Sequence, residues 1–138
     1  MIQDYHKIEL KKYIGNEPIV NSIKELIKNK YEDLFIAVVI HGSIGSDEII
    51  PYSDFDGLLI IKDSSKDTNQ LNQFIRESMK QIYRFDPLQH HGWFIITENQ
   101  LKNYRQTYFP YELFKYSKII YPNNDFLISI RLPKDIDY

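Results

Sequence analysis

The sequence predicts an α/β domain in which a small mixed β-sheet carries helices packed mainly on one side. Short, continuous runs of apolar and β-branched residues, such as LFIAVVI, are typical of strands that are buried on both faces of a sheet. Longer stretches, in which apolar residues recur every three or four positions, are typical of amphipathic helices. These two kinds of segment follow one another along the chain, which indicates the α/β class.

The helices are predicted from apolar periodicity and from the residues at their ends. The first runs from Pro18 to Glu32, and a proline suits its first turn. The second runs from Asp67 to Tyr83 and is ended by the Asp86-Pro87 pair. A third begins after Thr97, whose hydroxyl can cap it, and a fourth runs from Tyr111 to Ile120.

The strands are predicted from short apolar runs that are bounded by turn residues. The stretch from Lys7 to Lys12 mixes lysine with glutamate and is interpreted as a solvated face, so no strand is predicted before the first helix. The predicted strands are Leu34–Ile40, Asp54–Lys62, Gly92–Thr97 and Phe126–Leu132.

Length and composition indicate one domain over residues 1–138 and narrow the class of protein. The 138 residues are the size of an ordinary domain. No cysteine is present, which excludes disulfides and thiol chemistry and fits a reducing compartment. The 17 basic and 19 acidic residues give a net charge of −2, so a nucleic-acid partner is not expected. No run approaches the roughly 20 apolar residues that span a bilayer, and the N-terminus lacks an apolar leader, so we expect a cytoplasmic protein without a membrane partner.

The segment from His41 to Ile61 carries the chemistry. Asp54 and Asp56 open the second predicted strand, and because side chains alternate along a strand, both carboxylates point to the same side, roughly 6.6 Å apart along the chain. Two such carboxylates repel each other unless a positive charge lies between them. Carboxylate oxygens are the ligands that Mg²⁺ prefers, often beside substrate phosphates. The pair therefore predicts a metal site.

The Gly42-Ser43 turn after the first predicted strand supplies a complementary anion site. Gly42 lets a phosphate approach the backbone, and exposed N–H groups after Ser43 form an anion-binding nest or a helix N-terminus. The hydroxyl of Ser46 adds a donor, and Ser53 either belongs to the turn or contributes to nucleotide binding. A metal ion that is bound by a pair of carboxylates and by a substrate phosphate is the arrangement used in phosphoryl or nucleotidyl transfer.

This pattern, Gly-Ser, ten intervening residues and Asp-x-Asp, resembles that of the DNA polymerase β-like nucleotidyltransferase superfamily. The stretches Gly42–Gly45 and Pro51–Asp54 are most similar to aminoglycoside nucleotidyltransferases of the kanamycin type. The chain also looks like the minimal nucleotidyltransferases that act as antitoxins beside a helical toxin.

The resemblance implies the nucleotidyltransferase fold and a mechanism. A nucleoside triphosphate would bind with its phosphates on the Gly42-Ser43 turn, and Asp54 and Asp56 would hold a pair of Mg²⁺ ions. A nucleoside monophosphate, AMP from ATP by family analogy, would pass to an acceptor hydroxyl. Larger relatives carry a helical domain that holds the acceptor. The acceptor here is therefore expected to be a partner protein, a small molecule or a second copy, with a homodimer or a helical partner as possible assemblies.

Two positions depart from the family pattern. Ser46, followed by Asp47 and Glu48, stands where the family has a basic residue that meets phosphate. No acid lies within the third predicted strand, where the family carries a third carboxylate. His91, His90 and Asp86 are the candidates for the general base, since histidine titrates near neutrality.

These departures leave two other functions open. The chain could be a catalytically degenerate domain that binds a nucleotide or a partner without turnover. It could also use the same metal pair to cleave phosphodiesters, although the net charge argues against a nucleic-acid substrate.

Overall fold

The computed structural model describes residues 3–41, 56–87, 92–102 and 117–133. The described ranges contain six strands and three α-helices. In chain order they are β1 Gln3–Lys12, α1 Pro18–Leu26, β2 Phe35–His41, β3 Asp56–Ile61, α2 Asn69–Phe85, β4 Trp93–Thr97, α3 Glu98–Lys102, β5 Lys118–Tyr121 and β6 Phe126–Pro133.

All six strands join one sheet in the order β4-β3-β2-β5-β1-β6. The pairs β3–β4 and β1–β5 are parallel, and the pairs β2–β3, β2–β5 and β1–β6 are antiparallel. The α/β class and the mixed sheet predicted from the sequence are therefore confirmed.

The two faces of the sheet bury separate apolar cores. On one face, α1 and α2 cover side chains of β2 and β3 that include Val38, Ile40 and Leu59. On the other face lie Val39, Leu58, Ile60 and Ile96, with Leu101 of α3 against them. We call these the α1–α2 face and the α3 face. Both longer helices lie on one side, as expected, and the short α3 lies on the other.

Polar contacts join the helical segment that follows α1 to α2 and cap the start of α2. The hydroxyl of Tyr31, which is buried, donates to Oε2 of Glu77 on α2 at 3.0 Å. Burial raises the pKa of Tyr31, and the Glu77 carboxylate adds to the rise. The Thr68 hydroxyl accepts from the backbone N–H of Leu71 at 3.1 Å and so caps the first turn of α2.

The prediction of a helix from Tyr111 to Ile120 is wrong for its last residues, which belong to β5. Ile119 and Ile120 point to opposite faces of the sheet and both are buried. Two adjacent apolar residues that are both buried are expected in a central strand, where each face carries a core. Periodicity alone does not separate this case from a helix in so short a segment.

The sequence reasoning also missed β1. Lys7, Glu9 and Lys11 are exposed as predicted, but Leu10, between two of them, is fully buried on the α3 face. This alternation has the two-residue period of a half-buried strand. The segment was interpreted as a solvated face from its charged residues, whereas in the structure it pairs with β6 over most of its length.

The first helix is shorter than predicted. The α-helix ends at Leu26 and continues as a wider π turn over Ile27–Tyr31 and a 3₁₀ turn over Glu32–Leu34. The other predicted bounds that fall on described residues differ from the observed ones by one or two residues, whereas the predicted starts at Asp54 and Tyr111 lie outside the described residues. The predicted cap of α3 is confirmed, since the Gln100 N–H donates to the Thr97 hydroxyl at 3.1 Å. No helix in the described ranges has the length and apolar character needed to cross a bilayer.

Gly15 lies where a side chain does not fit, so replacing it is expected to destabilise the fold. A Cβ there would overlap the Tyr13 hydroxyl and ring. The ring cannot retreat easily, because Tyr13 is buried in the core and its hydroxyl accepts from the Glu17 N–H at 3.2 Å. We expect Gly15→Ala to lower the free energy of unfolding by about 1–3 kcal/mol, measured by urea denaturation.

Gly92→Ala is the matched control for this prediction. The nearest atom to a Cβ at Gly92 is the Met79 sulfur at 4.0 Å, an ordinary contact. An unchanged midpoint for Gly15→Ala, or an equal loss in both variants, would contradict the overlap argument.

Candidate functional site

Three strand termini meet at one end of the sheet. In the antiparallel pair β2–β3, His41 at the end of β2 lies opposite Asp56 at the start of β3. In the parallel pair β3–β4, Gly57 lies beside Trp93 at the start of β4. We call this the Asp56 end of the sheet. The chain leaves β2, enters β3 and enters β4 at this end.

Asp56 is half-buried at the first position of β3. Its strand places it on the same face as Leu58 and Ile60, the α3 face, away from the two longer helices. The five residues that follow in β3 are all buried. The carboxylate therefore marks the point where a buried strand begins, as the sequence predicted.

Asp86 directly follows α2 on the path that leads to β4. Its backbone N–H donates to the Ile82 carbonyl at 2.9 Å and closes the last turn of the helix. The side chain is half-buried. The Asp86-Pro87 pair ends the helix as predicted, and the chain then enters β4 at the Asp56 end.

The start of β4 is held by a partly buried polar contact with α2. The indole N–H of Trp93 donates to the hydroxyl of Ser78 at 2.8 Å, and that hydroxyl donates to the Ile75 carbonyl at 3.1 Å. The Trp93 ring lies 5.9 Å from the Phe74 ring, measured between centroids. These contacts fix the position of Trp93, which follows His91 by two residues in the sequence.

The other predicted site residues lie outside the described residues. They are Gly42, Ser43, Ser46, Ser53, Asp54, His90 and His91. Among the residues that the structure does describe, no group of three or more His, Asp or Glu side chains is placed to hold a metal ion. The paired aspartates, the phosphate turn and the histidine base remain predictions.

Lys118 is a cation that the sequence reasoning did not place near the candidate site. As the first residue of β5 it lies opposite Ile40, one position from the end of β2. It is half-exposed on the α1–α2 face, the reverse of the face that carries Asp56. From there it contributes positive potential at this end of the sheet. Recognising β5 as a strand would have placed Lys118 at this end of the sheet, but the apolar periodicity of the segment predicted a helix.

A second nearby cation, Lys11, is already paired. It lies beside Lys118 in the parallel β1–β5 pair. Its ammonium group contacts the Glu9 carboxylate and lies 3.7 Å from Asp125. The hydrogen bond and charge of Glu9 raise the pKa of Lys11, with a smaller contribution from Asp125. Lys118 is thus the better source of positive charge.

A cavity of about 600 Å³ lies at the opposite end of the sheet. Its lining includes Lys24 and Lys28 of the first helical segment and Tyr121 at the end of β5. Burial raises the pKa of Tyr121, with smaller contributions from Glu32 and Asp33. Asp56 and Asp86, the two predicted site residues that the structure describes, do not line this cavity. The strand termini at the Asp56 end adjoin, along the sequence, the segments that carry the predicted site residues. These termini therefore locate the candidate site better than the cavity does.

Comparisons with protein-family models, with curated proteins and with solved structures found no match to this chain. The residues of the sequence, and the positions that the fold gives to those that are described, are therefore the basis for a function.

Proposed function

We propose that the chain is a Mg²⁺-dependent nucleotidyltransferase of the DNA polymerase β-like type. It would transfer a nucleoside monophosphate, AMP from ATP, to a hydroxyl on a partner protein or a small molecule. The observation that carries the proposal is the register of β2 with β3, in which His41 lies opposite Asp56. Gly42-Ser43 directly follows His41 in the sequence and the Asp-x-Asp motif ends at Asp56, which supports a single site formed by these two segments.

The donor set fits a hard divalent cation. Asp56 offers carboxylate oxygens at the start of a buried strand, and Asp54 lies two residues earlier. These two residues would hold Mg²⁺, which supplies charge stabilisation for the attacking and leaving oxygens. The Gly42-Ser43 backbone and the hydroxyls of Ser43 and Ser46 would hold the triphosphate.

The reaction is an in-line displacement at the α-phosphorus. A lone pair of the acceptor hydroxyl forms the new P–O bond, and the bond between the α-phosphorus and the bridging oxygen breaks. Pyrophosphate leaves with that electron pair. The hydroxyl proton passes to a base, for which His91, His90 and Asp86 are the candidates. Asp86 and the residues before Trp93 lie on the path from α2 to the Asp56 end, which supports the choice of these three.

The charge balance at the Asp56 end supports a role for Lys118. The sequence has Ser46 where related enzymes carry a basic residue. Lys118, in register with Ile40, would offset part of the triphosphate charge from the other face of the sheet. Lys118 would act through its long-range electrostatic field, since it does not share a face of the sheet with Asp56.

A labelling assay tests the proposal. The purified chain is incubated with each α-labelled nucleoside triphosphate and Mg²⁺, alone and with cell extract, with and without EDTA. We expect transfer of label from one nucleotide to a discrete species, lost with EDTA, and the labelled species identifies the acceptor.

No transfer from any nucleotide by the folded chain would contradict the enzymatic proposal. Nucleotide binding measured by calorimetry would then favour the degenerate binding module. Release of label from a nucleic acid, without transfer, would favour phosphodiester cleavage instead.

A further inference from the structure

A cavity of about 600 Å³ lies beside the first helical segment, at the end of the sheet opposite Asp56. Sites that bind small molecules measure roughly 300–1,000 Å³, so this cavity has room for such a ligand. Part of its lining is apolar. Ile27 and Ile120 belong to the core of the α1–α2 face, and Pro122 and the half-buried Tyr121 lie beside them. An apolar group of a ligand would therefore leave water on binding here.

Four charged side chains line the same cavity, two of each sign. They are Lys24, Glu25, Lys28 and Glu32. Within the described ranges, none of these four side chains forms an ion pair. The cavity therefore presents two ammonium groups and two carboxylates that do not neutralise each other by direct contact. Both kinds of charge are available to a ligand that carries the complementary groups.

The helix geometry explains why Lys28 and Glu32 do not pair. On a regular α-helix, side chains four residues apart are neighbours, and Lys and Glu at that spacing attract each other. Here Lys28 lies in the π turn Ile27–Tyr31, and Glu32 begins the 3₁₀ turn that follows. The change of helix type between the two residues alters their spacing. Short π segments of this kind are frequent at functional sites.

Tyr121 adds to the cavity a hydroxyl that makes no hydrogen bond to another described residue. Its ring meets the Phe35 ring edge-on, with a centroid distance of 6.5 Å, and this contact holds the side chain in place. Burial raises the pKa of Tyr121, and the charges of Glu32 and Asp33 add to the rise. The hydroxyl therefore keeps its proton at neutral pH and can donate a hydrogen bond to a ligand.

We propose that this cavity binds a dipeptide with apolar side chains and free termini. The ammonium groups of Lys24 and Lys28 would hold its carboxylate, and the carboxylates of Glu25 and Glu32 would hold its ammonium group. The side chains of the dipeptide would pack on the apolar part of the lining. The inference does not depend on the proposed nucleotidyl transfer, and its test requires no turnover.

The balance of charges in the lining selects this class of ligand. A ligand with only negative charge would meet the two carboxylates as well as the lysines, and a ligand with only positive charge would meet the two lysines. A zwitterion satisfies both pairs. An extended dipeptide spans about 7 Å, so it separates its charged ends further than a single amino acid does. That separation suits charges that are spread along the helical segment from Lys24 to Glu32.

Titration calorimetry of the full chain with dipeptides built from leucine and phenylalanine tests the inference. Leucyl-phenylalanine is expected to bind, and its N-acetyl and C-amide derivatives, each of which lacks one charge, are expected to bind at least about tenfold more weakly. No binding of any of these dipeptides by the folded chain would overturn the inference. Equal affinity for free and blocked dipeptides would also overturn it and would indicate an internal segment of a protein. Equal affinity for free leucine would overturn it in favour of a single amino acid.

Paired substitutions locate the two ends of the ligand. Lys24→Gln/Lys28→Gln is expected to bind leucyl-phenylalanine about tenfold more weakly and no longer to distinguish it from its C-amide. Glu25→Gln/Glu32→Gln is expected, by the same reasoning, no longer to distinguish it from its N-acetyl derivative. Lys80→Gln is the matched control, because Lys80 is exposed on α2 and does not line the cavity. With all variants shown to be folded by circular dichroism, unchanged preferences in both paired variants, or an equal loss in Lys80→Gln, would overturn the inference.

Discussion

Replacing Asp56 by asparagine is expected to lower the proposed nucleotidyl transfer by at least about a hundredfold while the fold survives. Asp56 is half-buried at the first position of β3, and asparagine has nearly the same shape. The substitution removes one negative charge from the predicted metal site, so the remaining carboxylate must hold Mg²⁺ alone. Loss of an outer-shell partner of a metal ligand costs about 10–100-fold in activity, so loss of the ligand itself is expected to cost at least about a hundredfold. The same result is expected for Asp54→Asn.

Asp33→Asn provides the matched control for this experiment. Asp33 is an exposed aspartate in the 3₁₀ turn before β2, at the end of the sheet opposite Asp56. Initial rates of label transfer should be unchanged in this variant. Circular dichroism and thermal unfolding of all variants separate loss of activity from loss of structure. Full activity of folded Asp56→Asn would rule out its role as a metal ligand.

Replacing Phe74 by alanine is expected to cause the largest loss of stability. Phe74 is fully buried on α2, and its ring meets Tyr31 and Phe35 edge-on, with centroid distances of 5.3 and 4.9 Å. It also lies against Trp93, which begins β4. The variant loses the burial of the ring and leaves a cavity where α1, α2 and the sheet meet. A loss of about 3–5 kcal/mol in the free energy of unfolding is expected from urea denaturation.

Two controls define the origin of this loss. Phe74→Leu keeps most of the apolar volume and is expected to lose less than the alanine variant. Asn72→Ala changes an exposed residue of the same helix and is expected to stay within about 0.5 kcal/mol of the unmodified chain. Equal losses in Phe74→Leu and Phe74→Ala would show that the aromatic contacts, and not the cavity, carry the effect.

Local patterns were sufficient to predict the elements that bury a face or stripe of their own. The helix α2 has a regular apolar stripe and a capping threonine, and β2 and β3 are continuous apolar runs, so each was located within two residues. The strands β1 and β5 were not, because their partners are distant in the sequence. The four residues of β5 become part of the sheet through their pairing with β2 on one side and with β1 on the other. The residue pattern of a short segment does not indicate which distant strand it pairs with.

The same limit applies to the candidate site. The spacing from Gly42-Ser43 to Asp56 indicated a site because Gly42-Ser43 directly follows β2 in the sequence and Asp56 begins the neighbouring strand β3. Lys118 is far from that connection in the sequence, and it was assigned to a helix that would have pointed it elsewhere. Its place beside Ile40 depends on the order of strands in the sheet, which composition and spacing do not determine.

The ribbon of β1 and β6 has a consequence for biosynthesis. In this ribbon Gln3 pairs with Pro133 and Leu10 pairs with Phe126. The strand β1 therefore cannot complete this pairing before β6 has been synthesised. While the chain emerges from the ribosome, α1 to β4 can assemble from neighbouring segments, but β1 has neither β5 nor β6 to join. Closing so long a loop is entropically slow, and contacts of this separation delay folding. The nascent chain is therefore expected to expose Ile8 and Leu10 until β6 has been synthesised.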